Sequence, residues 1–234
     1  MKEKYSGWMQ TTFKAPYDLS NVQPSRGWIE NLLRQNPDLT GWPFFVDLWT
    51  PRNPEQKPKI VDGVWEAKLV SLGDGLFDGI DHWRIDGKRG LFYAARVLED
   101  DISRSSSEKG KTLDYGFAIL RTAEVIAIAI RFVNFVGSDV EAEGLTFPLN
   151  IKWIGLQNRA LSSWANPGRG LYETYQCNSD SVSKTVDVPL AGTHDQIALL
   201  TQEIVGELFL QFDGWSCSAS VVEELVGRLL NRKL

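Results

Sequence analysis

The sequence predicts an α+β fold: a mixed, largely antiparallel sheet packed on a long central helix, with further helices at the C-terminus. Three observations predict it. Residues 112–136, TLDYGFAILRTAEVIAIAIRFVNFV, are the one stretch both long enough and apolar enough to seed a core. Short aromatic and alternating runs stand on either side of it, with no helical pattern between the early ones. That order counts against the alternating strand and helix units of a doubly wound nucleotide fold. Near the end lie two helix-start signatures, Thr193-His194-Asp195-Gln196 and Ser220-Val221-Val222-Glu223.

At about 100° per residue, Asp114, Arg121, Glu124, Arg131 and Asn134 fall on one side of the central helix, and the rest is apolar or small. A helix wet along one strip and apolar elsewhere belongs between other elements. Glu124 and Arg131 interrupt the run short of the ~20 apolar residues that a membrane span needs.

Residues 1–24 mix Lys, Thr, Pro and Ser and are expected to form an arm. Ser25 caps a short helix over 26–35, with Trp28, Ile29, Leu32 and Leu33 on one face and Asn36-Pro37 as its stop. We therefore divide the chain into an arm and short helix, 1–39, and a single α+β domain, 40–234. Thr40-Gly41-Trp42-Pro43 is a turn opening into a first strand over 44–49. Three prolines in residues 51–59 make the next segment a surface connection. Residues 61–70 read as a strand with a kink at Asp62-Gly63. Residues 73–81 form a Gly- and Asp-rich loop, and 82–85 with 91–97 a hairpin turning through 86–90. A polar loop leads to the central helix, which Gly137 suits as a C-terminus.

Phe147, Leu149, Ile151 and Trp153 alternate with Pro148, Asn150 and Lys152, the pattern of a half-buried strand. Residues 171–176 and 182–188 are expected to form a second hairpin. Behind the first capping box, Ile197, Leu200, Ile204, Val205, Leu208 and Phe212 continue an apolar face up to Gly214. The last helix places Glu223 and Glu224 at its positive end and Arg228, Arg232 and Lys233 at its negative end.

At 234 residues, 43% hydrophobic and 24% charged, the chain can bury a core without staples. A net charge of -5 and a pI near 5.2 argue against a broad phosphate-binding surface. Cys177 and Cys217 make neither a disulfide framework nor a CxxC metal site, and MKEKYSGWMQTTF holds no apolar leader core, so the cytoplasm is the expected compartment. Nine tryptophans are spread along the whole chain, and most are expected at core or boundary positions with a partner for the indole N–H.

Four stretches carry a resemblance: Thr40-Gly41-Trp42-Pro43, residues 78–85 (DGIDHWRI), residues 90–100 (GLFYAARVLED) and residues 152–161 (KWIGLQNRAL). Their order and spacing are similar to the segment that follows the Schlafen AlbA-type domain in bacterial proteins labelled as transcriptional regulators or ATP-binding proteins. The likeness covers roughly residues 40–165 and rests on tryptophans, glycines and arginines, not on catalytic residues. Only ~40 residues precede it, too few for an AlbA-type domain, so that domain's nucleic-acid and nucleotide binding are not carried over. The downstream module alone implies sensing or protein association.

Residues 105–112, SSSEKGKT, end like a Walker A loop, but Ser105 replaces its first glycine and a polar gap separates it from the preceding strand, so we read a polar loop. Asp74, Asp78 and Asp81 lack the spacing of a Ca²⁺ loop and read as Asp-Gly turns. His194 is explained by its helix start and His82 by a structural hydrogen bond. The strongest candidates are Lys152, Trp153, Asn158, Arg159, Trp164 and Arg169, with Arg84. Guanidinium groups beside tryptophans can hold a phosphate, a carboxylate or a base.

The expected function is a non-catalytic binding module of a bacterial regulatory or defence-type assembly, with no cofactor or metal site. Its partner is expected to be another protein, a small ligand ranks next and nucleic acid lower, and no membrane is involved. One rival is a hydrolase or other enzyme acting on a phosphate-containing substrate through residues 74–82 with Arg84 or Arg159, which requires two carboxylates and a histidine to converge. Another is a nucleic-acid-binding accessory protein reading through residues 152–169.

Overall fold

The computed structural model describes residues 6–37, 39–40, 43–49, 51, 53–71, 79–103, 105–106, 108–138 and 144–233. Its centre is a seven-stranded, wholly antiparallel sheet, which makes the fold α+β. The strands are β1 (Trp8–Lys14), β2 (Lys59–Val61), β3 (Val64–Ser71), β4 (Gly79–Asp86), β5 (Leu91–Val97), β7 (Thr146–Ile154) and β9 (Ser181–Pro189). Their order is β2-β3-β4-β5-β1-β7-β9. A separate parallel pair joins β6 (Thr112–Asp114) to β8 (Ala160–Ser162). The helices are α1 (Arg26–Leu33), a single turn α2 (Glu99–Ile102), α3 (Tyr115–Val136), α4 (His194–Leu210) and α5 (Ala219–Leu230). No helix among the described residues is long and apolar enough to cross a membrane.

The sequence at 8–14, expected as part of an arm, is instead the strand that joins the two halves of the sheet, pairing with β5 on one side and β7 on the other. Met9, Thr11 and Phe13 point into the core and Gln10, Thr12 and Lys14 point away, so the period of two is present. Phe13 stacks on Phe92 with ring centroids 4.6 Å apart.

Residues 44–49, expected as a strand, form none. Their carbonyls are taken by side chains and not by a ladder: Asn36 Nδ2 donates to Phe45 O at 2.9 Å and Trp83 Nε1 to Val46 O at 3.2 Å. Phe45 then packs against Phe13, Trp83 and Phe132, filling the space between sheet and α3. Thr40 and Pro43 are described, but Gly41 and Trp42 of the expected turn lie outside the described residues, as do Asp74 and Asp78.

The expected central helix begins three residues late, because 112–114 pair with 160–162, and Asp114 caps α3 by accepting from Phe117 N at 3.0 Å. Its polar strip is wet only in its second half. Arg131 and Asn134 are exposed, whereas Arg121 is 7% exposed and Glu124 0%. Gly137 does cap the helix, but at φ -108, and its missing side chain makes room for the Tyr17 ring. Residues 171–176 form no hairpin. Tyr175 O and Cys177 N bond to Leu161 N and Arg159 O, while 182–188 belong to β9 beside β7. The Thr193–Gln196 capping box is present, whereas α5 starts at Ala219 after Ser218 with no side-chain cap bond.

Candidate functional site

Directly opposed residues of an antiparallel sheet share a face, so the register sorts every side chain. One face carries Trp65, Trp83, Phe92, Phe13, Leu149 and Val186, all buried under the helices and the 44–49 segment. The other face carries the alternate residues, and two lateral rows of it are polar. Glu66, Arg84, Tyr93, Thr12, Asn150 and Thr185 form one row. Lys68, His82, Ala95, Gln10, Lys152 and Ser183 form the next. Beside them Val70 faces Ile80, Val97 faces Trp8 and Trp8 faces Ile154. Ile80 and Val97 cluster there with Trp8, Val70 and Ile102 of α2.

The centre of charge on this open face is Glu66. Its carboxylate lies 3.1 Å from Arg84 Nε and 3.6 Å from His82 Nε2. Partial burial holds the His82 imidazole below its ordinary pKa, Lys68 and Arg84 push the same way, and Glu66 opposes them. The His82 ring meets Tyr93 edge-on at 5.7 Å, and burial raises the Tyr93 phenol. Lys68 and Lys152 make no ion pair among the described residues. The face thus offers cations, amides, hydroxyls and aromatic edges, in a chain whose net charge is -5.

A second polar region lies inside the molecule, where α2, β6, β8 and the chain before β1 meet. Arg159 is 0% exposed and all its donors are used. Nε donates to Gly155 O at 2.7 Å, Nη1 to Asp101 Oδ1 and Thr112 O at 2.8 Å, and Nη2 to Asp101 Oδ2 and Ser6 Oγ at 2.8 Å. Asp101 also accepts from Gly7 N at 2.8 Å and Gly110 N at 2.9 Å. Gly7 must be glycine, because a Cβ there would collide with the guanidinium. Next to this pair Asp100 accepts from Trp164 Nε1 at 2.8 Å and Asp114 N at 2.7 Å, and burial pushes its carboxyl up to about 7. Arg121 binds Glu99, Glu124 and Thr40 in the same neighbourhood. The donors of Arg159 and the acceptors of Asp101 saturate one another, so this pair fastens elements together.

Comparison with family models, curated proteins and solved structures returns no match.

The seven residues singled out in the sequence do not converge. Lys152 and Arg84 share the open face, whereas Trp153, 1% exposed, lies in the core and Arg159 is the buried tie. Trp164 is half-buried, bonded to Asp100 and packed on Phe117 at 5.3 Å. Arg169 pairs with Glu224, and Asn158 is exposed at a turn with φ +63. The 105–112 loop has its Gly110 N–H committed to Asp101, and β6 separates it from α3. Among the described residues no group of three or more His, Cys, Asp or Glu is placed to hold a metal ion. Gln10, Lys68 and Tyr93 were missed, although the parity of the 82–85/91–97 hairpin already sets His82, Arg84 and Tyr93 on one face.

Proposed function

We propose that this protein is a non-catalytic binding module that receives a partner protein on the open face of its sheet, within a bacterial regulatory or defence-type assembly. One observation carries the reading: unpaired Lys68 and Lys152 flank Gln10, Tyr93 and the Glu66–His82–Arg84 group, directly beside the apolar cluster at Trp8. Half-buried Trp8, Val70 and Ile102, packed over buried Ile80 and Val97, give this face its apolar edge, and Arg, Tyr and Trp carry much of the energy of protein interfaces. The likeness to the module downstream of AlbA-type domains, which implies association, points the same way. Among the described residues the carboxylate paired with His82 is Glu66, and Asp74 and Asp78 of the hydrolase reading lie outside them. Both cysteines are free thiols, which fits the proposed cytoplasmic setting.

The test is site-specific photo-crosslinking in cells. A probe at Thr12, exposed in the middle of the face, is expected to capture one protein that a probe at exposed Glu55 does not. Lys68→Glu with Lys152→Glu is expected to abolish that capture without altering the circular dichroism spectrum. Capture that is equal from both probes, or that survives the double substitution, overturns the reading.

A further inference from the structure

The crease between α4 and α5 is a groove of about 390 Å³, well away from the open face, and the argument for it is independent of that face. Its floor is small and apolar, with Ala198 on α4 and Gly227 on α5. Glycine weakens a helix interior relative to alanine, so a mid-helix glycine normally answers to a close neighbour. Nothing in the chain itself lies within 4 Å of a Cβ added at Gly227. Open space therefore lies above it, as it does above Gly206 on α4, and at Gly227 that space belongs to the groove. On the rim Leu199 is 67% exposed.

Charge narrows the occupant. Asp195 and Glu223 stand on the two rims and make no ion pair among the described residues. The nearby Arg228 is taken by Glu224 and by Lys233 O. At the groove wall Gln202 gives its Nε2–H to Cys217 O at 3.3 Å, which leaves its buried Oε1 without a donor. A crease between two packed helices accepts a third helix by the same ridge-and-groove fit that packs helices in general.

We propose that the α4/α5 groove binds an amphipathic helix of a partner whose apolar stripe seats over Ala198 and Gly227 and whose flanking Lys or Arg side chains meet Asp195, Glu223 and Gln202. The probe is a fluorescein-labelled synthetic helix of roughly 15–18 residues, with leucine and alanine on one face and lysine on its flanks. Fluorescence anisotropy is expected to show saturable binding. Affinity is expected to be at least about tenfold weaker for the same peptide with every lysine replaced by glutamate, and for Glu223→Lys. Gly227→Leu fills the groove and raises helix propensity, so it folds, and it is expected to cost at least about tenfold as well. No binding at ~1 mM peptide, equal binding of the two peptides, or unchanged binding to Gly227→Leu overturns the proposal. So does light scattering that finds a dimer converted to monomer by Gly227→Leu, which would assign the groove to a second copy of this chain.

Discussion

Arg84 and Arg159 both stand out in the sequence for their tryptophan neighbours, Arg84 directly after Trp83 and Arg159 between Trp153 and Trp164, yet the fold sends them to opposite places. Arg84 follows Trp83 on β4, where alternation alone decides: Trp83 enters the core at 0% exposure and Arg84 emerges on the open face with its side chain 42% exposed. Arg159 comes after the end of β7, past a turn at Asn158 with φ +63, so strand parity no longer applies. It folds back inward, where two aspartate oxygens and three other acceptors are waiting. On a strand the periodicity of the chain predicts which side a charge occupies. At a turn the answer depends on which buried acceptors need donors, and those lie 47 to 153 residues away in sequence for Thr112, Asp101 and Ser6.

The contrast makes Arg159 the largest expected effect. Truncating it leaves Asp101, 5% exposed, as a buried charge without its counter-ion. Arg159→Ala is expected to cost about 3–5 kcal/mol, and Arg159→Lys most of that, since one ammonium cannot reproduce the bidentate fork. Urea denaturation followed by tryptophan fluorescence measures both. If Arg159→Ala unfolds at the same urea concentration as the wild type, the buried tie is not what holds this junction.

The same junction predicts a pH dependence. Asp100 is raised to about 7 in the folded protein by burial, against 3.8 for the ordinary group. A raised folded pKa means the folded state holds its proton where the unfolded chain has lost it. The stabilisation is therefore full at low pH and disappears as pH rises through about 7. Between pH 6 and 8 about 1.4 kcal/mol of stability should be lost from this group. Asp100→Asn, which keeps an acceptor for Trp164 and Asp114, should flatten the profile and match or exceed wild-type stability at pH 8. A wild-type protein that is more stable at pH 8 than at pH 6 would place the proton elsewhere.

Regular elements were legible in the sequence where one face meets water and the other meets apolar side chains. The alternation at 147–153, the hairpin at 82–97 and the capping box at Thr193 all have that character. Misreadings came where tertiary partners replaced local ones. The aromatic run at 44–49 has strand composition, but Asn36 and Trp83 satisfy its carbonyls, and its value to the fold is as filling between sheet and helix. Conversely 8–14 carries only Trp8, Met9 and Phe13 as large apolar residues, too few to stand out, because Thr11 occupies a core position at 1% exposure. The open face was half-legible: Arg84 and Lys152 were picked from sequence, but that they belong together requires β1 between β5 and β7. The candidates at 158–169 could not be sorted without knowing that Asp100, Asp101 and Glu224 would meet them.

The smallest expected effect on stability is also the one that most sharpens the comparison. The Arg84 side chain is 42% exposed, and its pair with Glu66, 25% exposed, competes with solvent and with salt. Arg84→Ala should change stability by no more than about 0.5 kcal/mol, an order below Arg159→Ala. Neither neighbour depends on it: Trp83 is held by Val46 O and Phe45, and Tyr93 keeps its contact with His82. If the open face is the recognition surface, the same substitution must nonetheless weaken capture by the probe at Thr12, since Arg84 and Thr12 both flank Tyr93 in one row. A stability-neutral Arg84→Ala that also leaves capture intact would reduce Arg84 to a solvated strand residue and remove it from the proposed site, while Arg159 would keep its structural role untouched.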